Sequence, residues 1–164
     1  MHKRGLTLLE AVAVIVVIAI LAALLIPCTG PWSCSKMVSC RSNLRRLHVV
    51  GSTYASTHRG DWPKATGEAL WVSFAKMTPP LVPSEELGLF SCPVRDEELG
   101  AGECDYLGPI KPFGQLKPED PLAADKEGNH GEGQPINVLF KDGSVLDAAP
   151  GDALWKKCRA ILSP

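Results

Sequence analysis

The sequence predicts an α+β protein in which a long apolar N-terminal helix precedes a small antiparallel sheet. Three observations predict this class. An uninterrupted apolar run covers residues 11–26, apolar residues recur at helical spacing over 34–58, and two apolar stretches flank Asp142-Gly143. We therefore expect helices in the first part of the chain and the strands in its C-terminal half.

The apolar run has the length of a membrane span. From Leu6 to Ile26 it is interrupted only by Thr7 and Glu10. At about 1.5 Å rise per residue, such a helix extends across roughly 30 Å, the thickness of a hydrocarbon core. The residues at 2–4 are basic, so the positive-inside tendency predicts a cytoplasmic N-terminus and an external C-terminal part.

Three simpler explanations of this segment are incomplete. A cleaved secretory signal has a shorter apolar core and small residues at its cleavage site, where this chain has Pro27 and Pro31. Lipid attachment at Cys28 also prefers small preceding residues, and Ile26 and Pro27 stand there. A plain one-span anchor does not explain Glu10, because a carboxylate within a span costs on the order of 3 kcal/mol.

The stretch Gly5-Leu6-Thr7-Leu8-Leu9-Glu10 resembles the class III signal of type IV prepilins and type II secretion pseudopilins. The resemblance implies cleavage between Gly5 and Leu6 and N-methylation of Leu6, where the family often has Phe or Met. It also implies that Glu10 is an assembly residue, whose carboxylate pairs with the N-terminal amine of a neighbouring subunit. A buried charge is tolerable when paired and costly when its partner is removed.

The resemblance also implies a pilin-like fold, in which the N-terminal helix packs on the sheet. Proline interrupts helical hydrogen bonding, so we expect a kink or break near Pro27–Pro31. Ser33 can then cap a second, amphipathic helix from Cys34 to His58. Its predicted buried face consists of residues at intervals of three, four and seven: Met37, Leu44, Leu47, Gly51 and Tyr54.

The chain therefore divides into four predicted parts: a cytoplasmic leader 1–5, a transmembrane and filament-core helix 6–26, a break and second helix 27–59, and a loop-rich extracytoplasmic domain 60–164. Charge is unevenly distributed among them. Residues 28–60 contain five Lys or Arg and no acid, whereas residues 61–164 contain seventeen acids and ten Lys or Arg. The basic segment could face lipid headgroups, an acidic neighbour or solvent; nucleic acid is not an expected partner.

Within the last part, short elements are expected. Residues 67–77 suit a short helix, 81–94 a loop that leads into an extended segment, and 103–108 a short strand. Asp142-Gly143 between two apolar stretches predicts a hairpin with a type I′ turn. The stretch 129–145 also resembles a C-terminal signature of prepilin-like proteins of planctomycete-type bacteria, with Ser144 where histidine is common.

The six cysteines would lie in a compartment where disulfides persist. No C-x-x-C pair occurs, which argues against a zinc or thioredoxin-like site. Cys92 and Cys104 bracket a polar loop, and a disulfide between them would stabilise the domain by roughly 3 kcal/mol. Two free buried thiols are the alternative.

No residue is assigned to catalysis, cofactor binding or metal binding. A calcium or catalytic cluster could be built from Asp125, Asn129, His130 and Asp142, but neighbouring glycines make turns the simpler explanation. Calcium is the one candidate cofactor. His48 and His58 are expected to be packed or solvated rather than ligands.

The resemblance implies a structural function and no enzymatic activity. The expected protein is a pseudopilin of a type II secretion-like system. It would cross the bacterial inner membrane once, with its C-terminal domain in the periplasm, and would later enter a filament. The implied partners are a prepilin peptidase, sibling subunits, and an assembly platform with its ATPase. A type IV pilus subunit and a non-polymerising, membrane-anchored binding domain are the alternatives.

Overall fold

A computed structural model of the chain describes residues 12–18, 34–95, 99–100 and 102–163. The chain divides into two compact units, Met1–Cys34 and Ser35–Pro164. In the first unit, residues 12–18 form an apolar helix, α1, whose large side chains are exposed. Among the described residues, no helix is both long enough and apolar enough to span a membrane.

Several expectations for the N-terminal part fall outside these residues. They are the leader 1–5, the cleavage point between Gly5 and Leu6, the carboxylate of Glu10 and the break near Pro27–Pro31. The predicted helix 6–26 is described only over 12–18. These features stay predictions from the sequence, and the fold that follows is that of the second unit.

The second unit is an α+β structure with a five-stranded antiparallel sheet, which confirms the predicted class. The strand order is β4-β3-β2-β1-β5. The strands are β1 (Tyr106–Pro109), β2 (Pro121–Asp125), β3 (Ile136–Phe140), β4 (Val145–Ala148) and β5 (Leu162–Ser163). The described residues also form the helices α2 (Cys34–Thr57), α3 (Glu68–Lys76) and α4 (Ala153–Ile161), and the 3-10 helices Ser84–Phe90 and Phe113–Gln115.

Helix α2 forms almost as predicted and ends one residue earlier. Its buried stripe begins at Cys40 and continues through Leu44 and Leu47, all with no exposed surface. The helix stops because Arg59 and Gly60 adopt left-handed conformations, with φ of 58° and 89°. The Gly60 amide then donates to the carbonyl of Ala55 at 2.8 Å, which satisfies a carbonyl of the last turn.

The sheet is covered on both faces. One face packs against the stripe of α2 and against α3, and Leu122 of β2 and Leu139 of β3 belong to this core. The other face packs against α4, where Val138 contacts a cluster that includes Trp155 and Cys158. Because both faces are buried, β2 and β3 are apolar almost throughout, with Asp125 and Asn137 as buried exceptions.

A glycine in the middle of α2 allows an aromatic ring to reach the helix backbone. A Cβ atom at Gly51 would overlap the six-membered ring of Trp62. That ring stacks on Phe113, with centroids 4.1 Å apart, and meets Trp71 and Phe74 edge-on. The helix thus accepts a residue of low helical propensity because the aromatic cluster requires the space.

The C-terminal hairpin is present, but its turn is not the predicted type I′. A type I′ turn needs positive φ at two successive residues, and here Gly143 has a φ of 85° while Asp142 does not have a positive φ. The Gly143 amide donates to Phe140 at 3.0 Å, and the Phe140 amide donates to Ser144 at 2.9 Å. This is a three-residue loop with a glycine bulge, and the type I′ prediction is wrong.

The other short elements agree with the sequence in part. The predicted short helix at 67–77 is α3, and the strand expected in 103–108 is β1. The segment 81–94, expected as a loop, instead contains the 3-10 helix Ser84–Phe90, whose Leu89 and Phe90 are buried. Burial of these two side chains gives the segment a fixed conformation.

We predict that Gly51→Ala destabilises the protein although alanine favours helices. The gain in propensity is about 1 kcal/mol, whereas overpacking against Trp62 costs about 1–3 kcal/mol. Thermal unfolding of the full chain measures the difference. The control is Gly88→Ala, at a position where, among the described residues, only the adjoining residues of the chain lie within 4 Å of the new Cβ. A Gly51→Ala protein more stable than the wild type would contradict the packing.

Candidate functional site

Asp125 is the last residue of β2, and its carboxylate is fully buried on the side of the sheet that faces α2. Its Oδ2 atom accepts hydrogen bonds from the backbone amide and from the side-chain amide of Asn137, both at 2.8 Å. Its Oδ1 atom has no hydrogen-bond partner within the described part of the chain. A buried polar atom left unsatisfied costs about 1–3 kcal/mol, so this arrangement calls for an explanation.

His130 supplies a second buried polar atom without a hydrogen bond. Its side chain is almost fully buried in the connection between β2 and β3. The Nδ1 atom donates to the carbonyl of Pro135 at 2.9 Å, so the second ring nitrogen, Nε2, is the one free to accept a proton or a metal ion. Nε2 lies 3.2 Å from Oδ2 of Asp125 but makes no aligned hydrogen bond.

A disulfide between Cys40 of α2 and Cys92 lies beside this pair. The two residues are 52 positions apart in sequence, and their Cα atoms are 5.4 Å apart, a normal separation for a disulfide. Cys104 is a free, buried thiol. The predicted bridge between Cys92 and Cys104 is therefore wrong.

Asp105 explains why Cys104 is not the partner of Cys92. The Cys92 amide donates to the Asp105 carboxylate at 2.8 Å, and the Asp105 amide donates to Phe90 at 2.8 Å. Arg95 completes the arrangement with an ion pair to Asp105 at 2.7 Å. Asp105, and not Cys104, therefore lies against Cys92. Helix α2 places Cys40 next to Cys92.

Together the four side chains form one buried cluster. The two sulfur atoms of Cys40 and Cys92, a carboxylate oxygen of Asp125 and a ring nitrogen of His130 all lie within 4.8 Å of one another. Tyr106 borders the cluster, with its hydroxyl 3.8 Å from the sulfur of Cys40 and donating to a backbone carbonyl at 3.0 Å. The cluster thus joins helix α2, strand β2 and the two loops that carry Cys92 and His130.

Burial shapes the protonation of these groups. It raises the pKa of the Asp125 carboxyl, and the nearby His130 ring acts in the opposite direction. It also raises the pKa of the Tyr106 hydroxyl well above its usual range, which keeps that group a neutral donor. The environment therefore disfavours an isolated negative charge unless a cation accompanies it.

The basic side of α2 is engaged within the same unit. Arg41 forms an ion pair with Asp147 of β4, and Arg46 pairs with Glu86 of the first 3-10 helix at 2.7 Å. The acidic partners of these two arginines thus belong to the protein's own domain. Both pairs are partly exposed and contribute at most about 1 kcal/mol each.

The residues proposed as a calcium or catalytic cluster do not all come together. Asp125 and His130 do, and Asn129 is buried nearby with its amide donating to Asp105 at 2.8 Å. Asp142 is instead exposed in the hairpin loop, where it accepts from the Ser144 amide at 2.9 Å. The calcium prediction is untested by this arrangement.

The two other histidines considered have partners of their own, as expected for packed side chains. The Nε2 atom of His48 donates to the carbonyl of Lys141 at 3.0 Å, which ties α2 to the hairpin loop. His58 stacks on Tyr54 with ring centroids 3.7 Å apart and bonds to its carbonyl. Neither belongs to the group of metal-ligating side chains found among the described residues.

Sequence reasoning missed Cys40, although a signal for it exists. Cys40 lies four residues before Leu44 and seven before Leu47, so it extends the buried stripe of α2 toward the N-terminus. A cysteine on a buried helical face must end in the core, where a second buried cysteine can reach it. Spacing along the chain could not show which of the remaining cysteines that is.

Comparison of the chain with protein-family models, with curated proteins and with solved structures finds no match.

We predict that Cys104 and Cys158 resist alkylation in the native protein. Burial raises the pKa of the Cys104 thiol to about 12 and that of Cys158 to about 11, so the reactive thiolate is scarce at pH 8. Mass spectrometry after iodoacetamide treatment should show both thiols labelled only after unfolding. Non-reducing peptide mapping should recover Cys40 linked to Cys92.

The unfolded protein, labelled at the same pH, is the control for reagent activity. Rapid labelling of Cys104 in the folded state would contradict the burial, and a peptide linking Cys92 to Cys104 would contradict the pairing.

Proposed function

We propose that this protein is a structural subunit, a pseudopilin, of a type II secretion-like filament. The observation that carries the proposal is the stretch Gly5–Glu10 at the head of the apolar run, which resembles the class III signal of prepilins. In this proposal, cleavage before Leu6 leaves the apolar helix on the mature subunit. The helix then holds the subunit in the bacterial inner membrane until it enters the filament.

Glu10 gives the proposal its physical basis. A carboxylate inside an apolar run is unfavourable in a single helix in lipid. The same carboxylate is stabilised when a neighbouring subunit presents the amine of its residue Leu6. Assembly would thus satisfy a charge that the isolated subunit leaves unpaired, and a passive anchor has no use for such a residue.

The second unit supports an extracytoplasmic, periplasmic location. Its disulfide between Cys40 and Cys92 suits an oxidising compartment. The basic residues at 2–4 suit a cytoplasmic N-terminus. Helix α2 follows the apolar run in sequence and packs on an antiparallel sheet, an arrangement compatible with a pilin-like head.

The partners follow from this role. A prepilin peptidase would process the N-terminus, sibling subunits would pack against the apolar helix, and a membrane platform with its ATPase would drive assembly. A type IV pilus subunit for adhesion, motility or DNA uptake would share the same processing and assembly, so the two tests below address the polymerising class as a whole.

The first test concerns processing. We predict that the mature chain begins at Leu6 and carries one N-methyl group. Mass spectrometry of the N-terminal peptide of the membrane-extracted protein measures this. An N-terminus created after residue 23 would place the protein among secreted proteins, and an intact Met1 would place it among plain anchors.

The second test concerns assembly. Glu10→Ala should leave processing, membrane level and folding of residues 34–163 normal, because it removes a desolvation cost in the monomer. Incorporation into filaments should be lost or strongly reduced, since breaking a buried pair costs on the order of 3–5 kcal/mol at each subunit. Glu10→Gln should fail less severely. Crosslinking of the tagged protein to sibling subunits measures incorporation.

Val12→Ala, in the same apolar run, is the matched control, because it shortens a side chain without removing a charge. Equal incorporation of Glu10→Ala and Val12→Ala would remove the carboxylate from the assembly mechanism and return the protein to the class of membrane-anchored binding domains.

A further inference from the structure

We propose that Cys40, Cys92, Asp125 and His130 form a binding site for a zinc-class divalent ion, which becomes available when the Cys40–Cys92 disulfide is reduced. The site lies wholly within the second unit. The inference is independent of filament assembly and stands on the chemistry of these four side chains alone.

The donor set is that of a zinc site. Zinc binds thiolates at about 2.3 Å, and imidazole nitrogens and carboxylate oxygens at about 2.0–2.2 Å, in a tetrahedron. Ligand atoms around such an ion are therefore roughly 3.3–3.8 Å apart. The two sulfur atoms, one carboxylate oxygen of Asp125 and one ring nitrogen of His130 already lie within 4.8 Å of one another, so side-chain rotations would complete the tetrahedron. Calcium and magnesium prefer oxygen ligands and are disfavoured by the two sulfur atoms.

Two atoms without hydrogen bonds point to the same ligand. Oδ1 of Asp125 and Nε2 of His130 are buried and have no hydrogen-bond partner among the residues that the structure describes, and each belongs to a side chain whose other polar atom is already engaged. An ion bound between them would satisfy both lone pairs at once. A disulfide alone leaves both unsatisfied, because its sulfur atoms carry no proton to donate.

The outer contacts orient the ligands as metal sites require. The Nδ1–H of His130 donates to the Pro135 carbonyl, which presents Nε2 as the ligand atom. Asn137 holds Oδ2 of Asp125 through two hydrogen bonds, which leaves Oδ1 as the ligand atom. The Tyr106 hydroxyl lies 3.8 Å from the Cys40 sulfur.

Reduction and metal binding balance as two separate steps. Two electrons and two protons convert the disulfide to two thiols, while an external dithiol is oxidised to its own disulfide. Each thiol then releases its proton as its sulfur binds the ion. In the oxidised state the sulfur–sulfur bond joins α2 to the loop of Cys92, and in the reduced state the bound ion would join both to Asp125 of β2 and to His130.

The test measures zinc binding by the full-length protein in detergent. Cys28 and Cys34 are replaced by serine so that they cannot bind the ion. The protein is reduced with a phosphine, and the phosphine is oxidised to its oxide with an oxygen atom from water. The remaining reductant is then removed under anaerobic conditions. We expect one Zn²⁺ per chain by competition with a chromophoric chelator, and an affinity lower by more than about 100-fold while the disulfide is intact.

Matched variants locate the site. His130→Gln and Cys92→Ser should each lower the affinity of the reduced protein by more than about 100-fold, since even outer-shell changes cost 10–100-fold. His58→Gln and Cys158→Ser, which change the same residue types outside the cluster, should leave it unchanged. Failure of the reduced parent protein to bind Zn²⁺, or undiminished binding by His130→Gln and Cys92→Ser, would overturn the proposal.

A measurement without cluster variants covers the case in which they do not fold. Zn²⁺ should slow the re-formation of the Cys40–Cys92 disulfide by oxidised glutathione by at least about tenfold, because bound thiolates are poor nucleophiles. Ca²⁺ at the same concentration should have no effect. Equal rates with and without Zn²⁺ would overturn the proposal.

Discussion

The packing of the second unit depends on how two polar side chains, Asp125 and His130, are accommodated between α2 and the sheet. A buried polar atom without a partner costs about 1–3 kcal/mol, and this pair leaves two such atoms in the absence of further ligands. The surrounding structure limits the cost. Asn137 and the Pro135 carbonyl satisfy the other two polar atoms, and the disulfide of Cys40 fixes the helix directly above them. The core is therefore organised around a polar centre as well as around apolar contacts.

That centre also determines which parts of the chain meet. Cys40 comes from α2, Cys92 follows the first 3-10 helix, and Asp125 ends β2. Asp105, just before β1, accepts a hydrogen bond from the Cys92 amide with its carboxylate and one from the Asn129 side chain with its backbone carbonyl, so this buried residue holds the loops that carry Cys92 and His130. Buried charges of this kind are poor evidence for stability, because apolar replacements are often as stable. In the metal-site proposal, Asp125 would serve as one of the four ligands.

The sequence predicted α2, α3 and the C-terminal hairpin because each is specified by local pattern: a helical stripe through Leu44 and Leu47, a short apolar helix, and a glycine turn at Gly143. It failed where the outcome depended on contacts distant in sequence. The pairing of Cys40 with Cys92 spans 52 residues, and the four side chains of the buried cluster come from four separate segments that no local motif such as C-x-x-C connects. The prediction of the turn type was wrong because Asp142-Gly143 suits both a type I′ turn and a three-residue loop with a glycine bulge.

The central claim, that four side chains form one site, is tested most directly by X-ray absorption at the zinc edge of the reduced, zinc-loaded protein. Two sulfur atoms at about 2.3 Å and two nitrogen or oxygen atoms at about 2.0–2.2 Å are predicted, because Cys40 and Cys92 supply the former and Asp125 and His130 the latter. A shell of four sulfur atoms, or one of nitrogen and oxygen alone, would contradict the account, since either would place the ion on other residues.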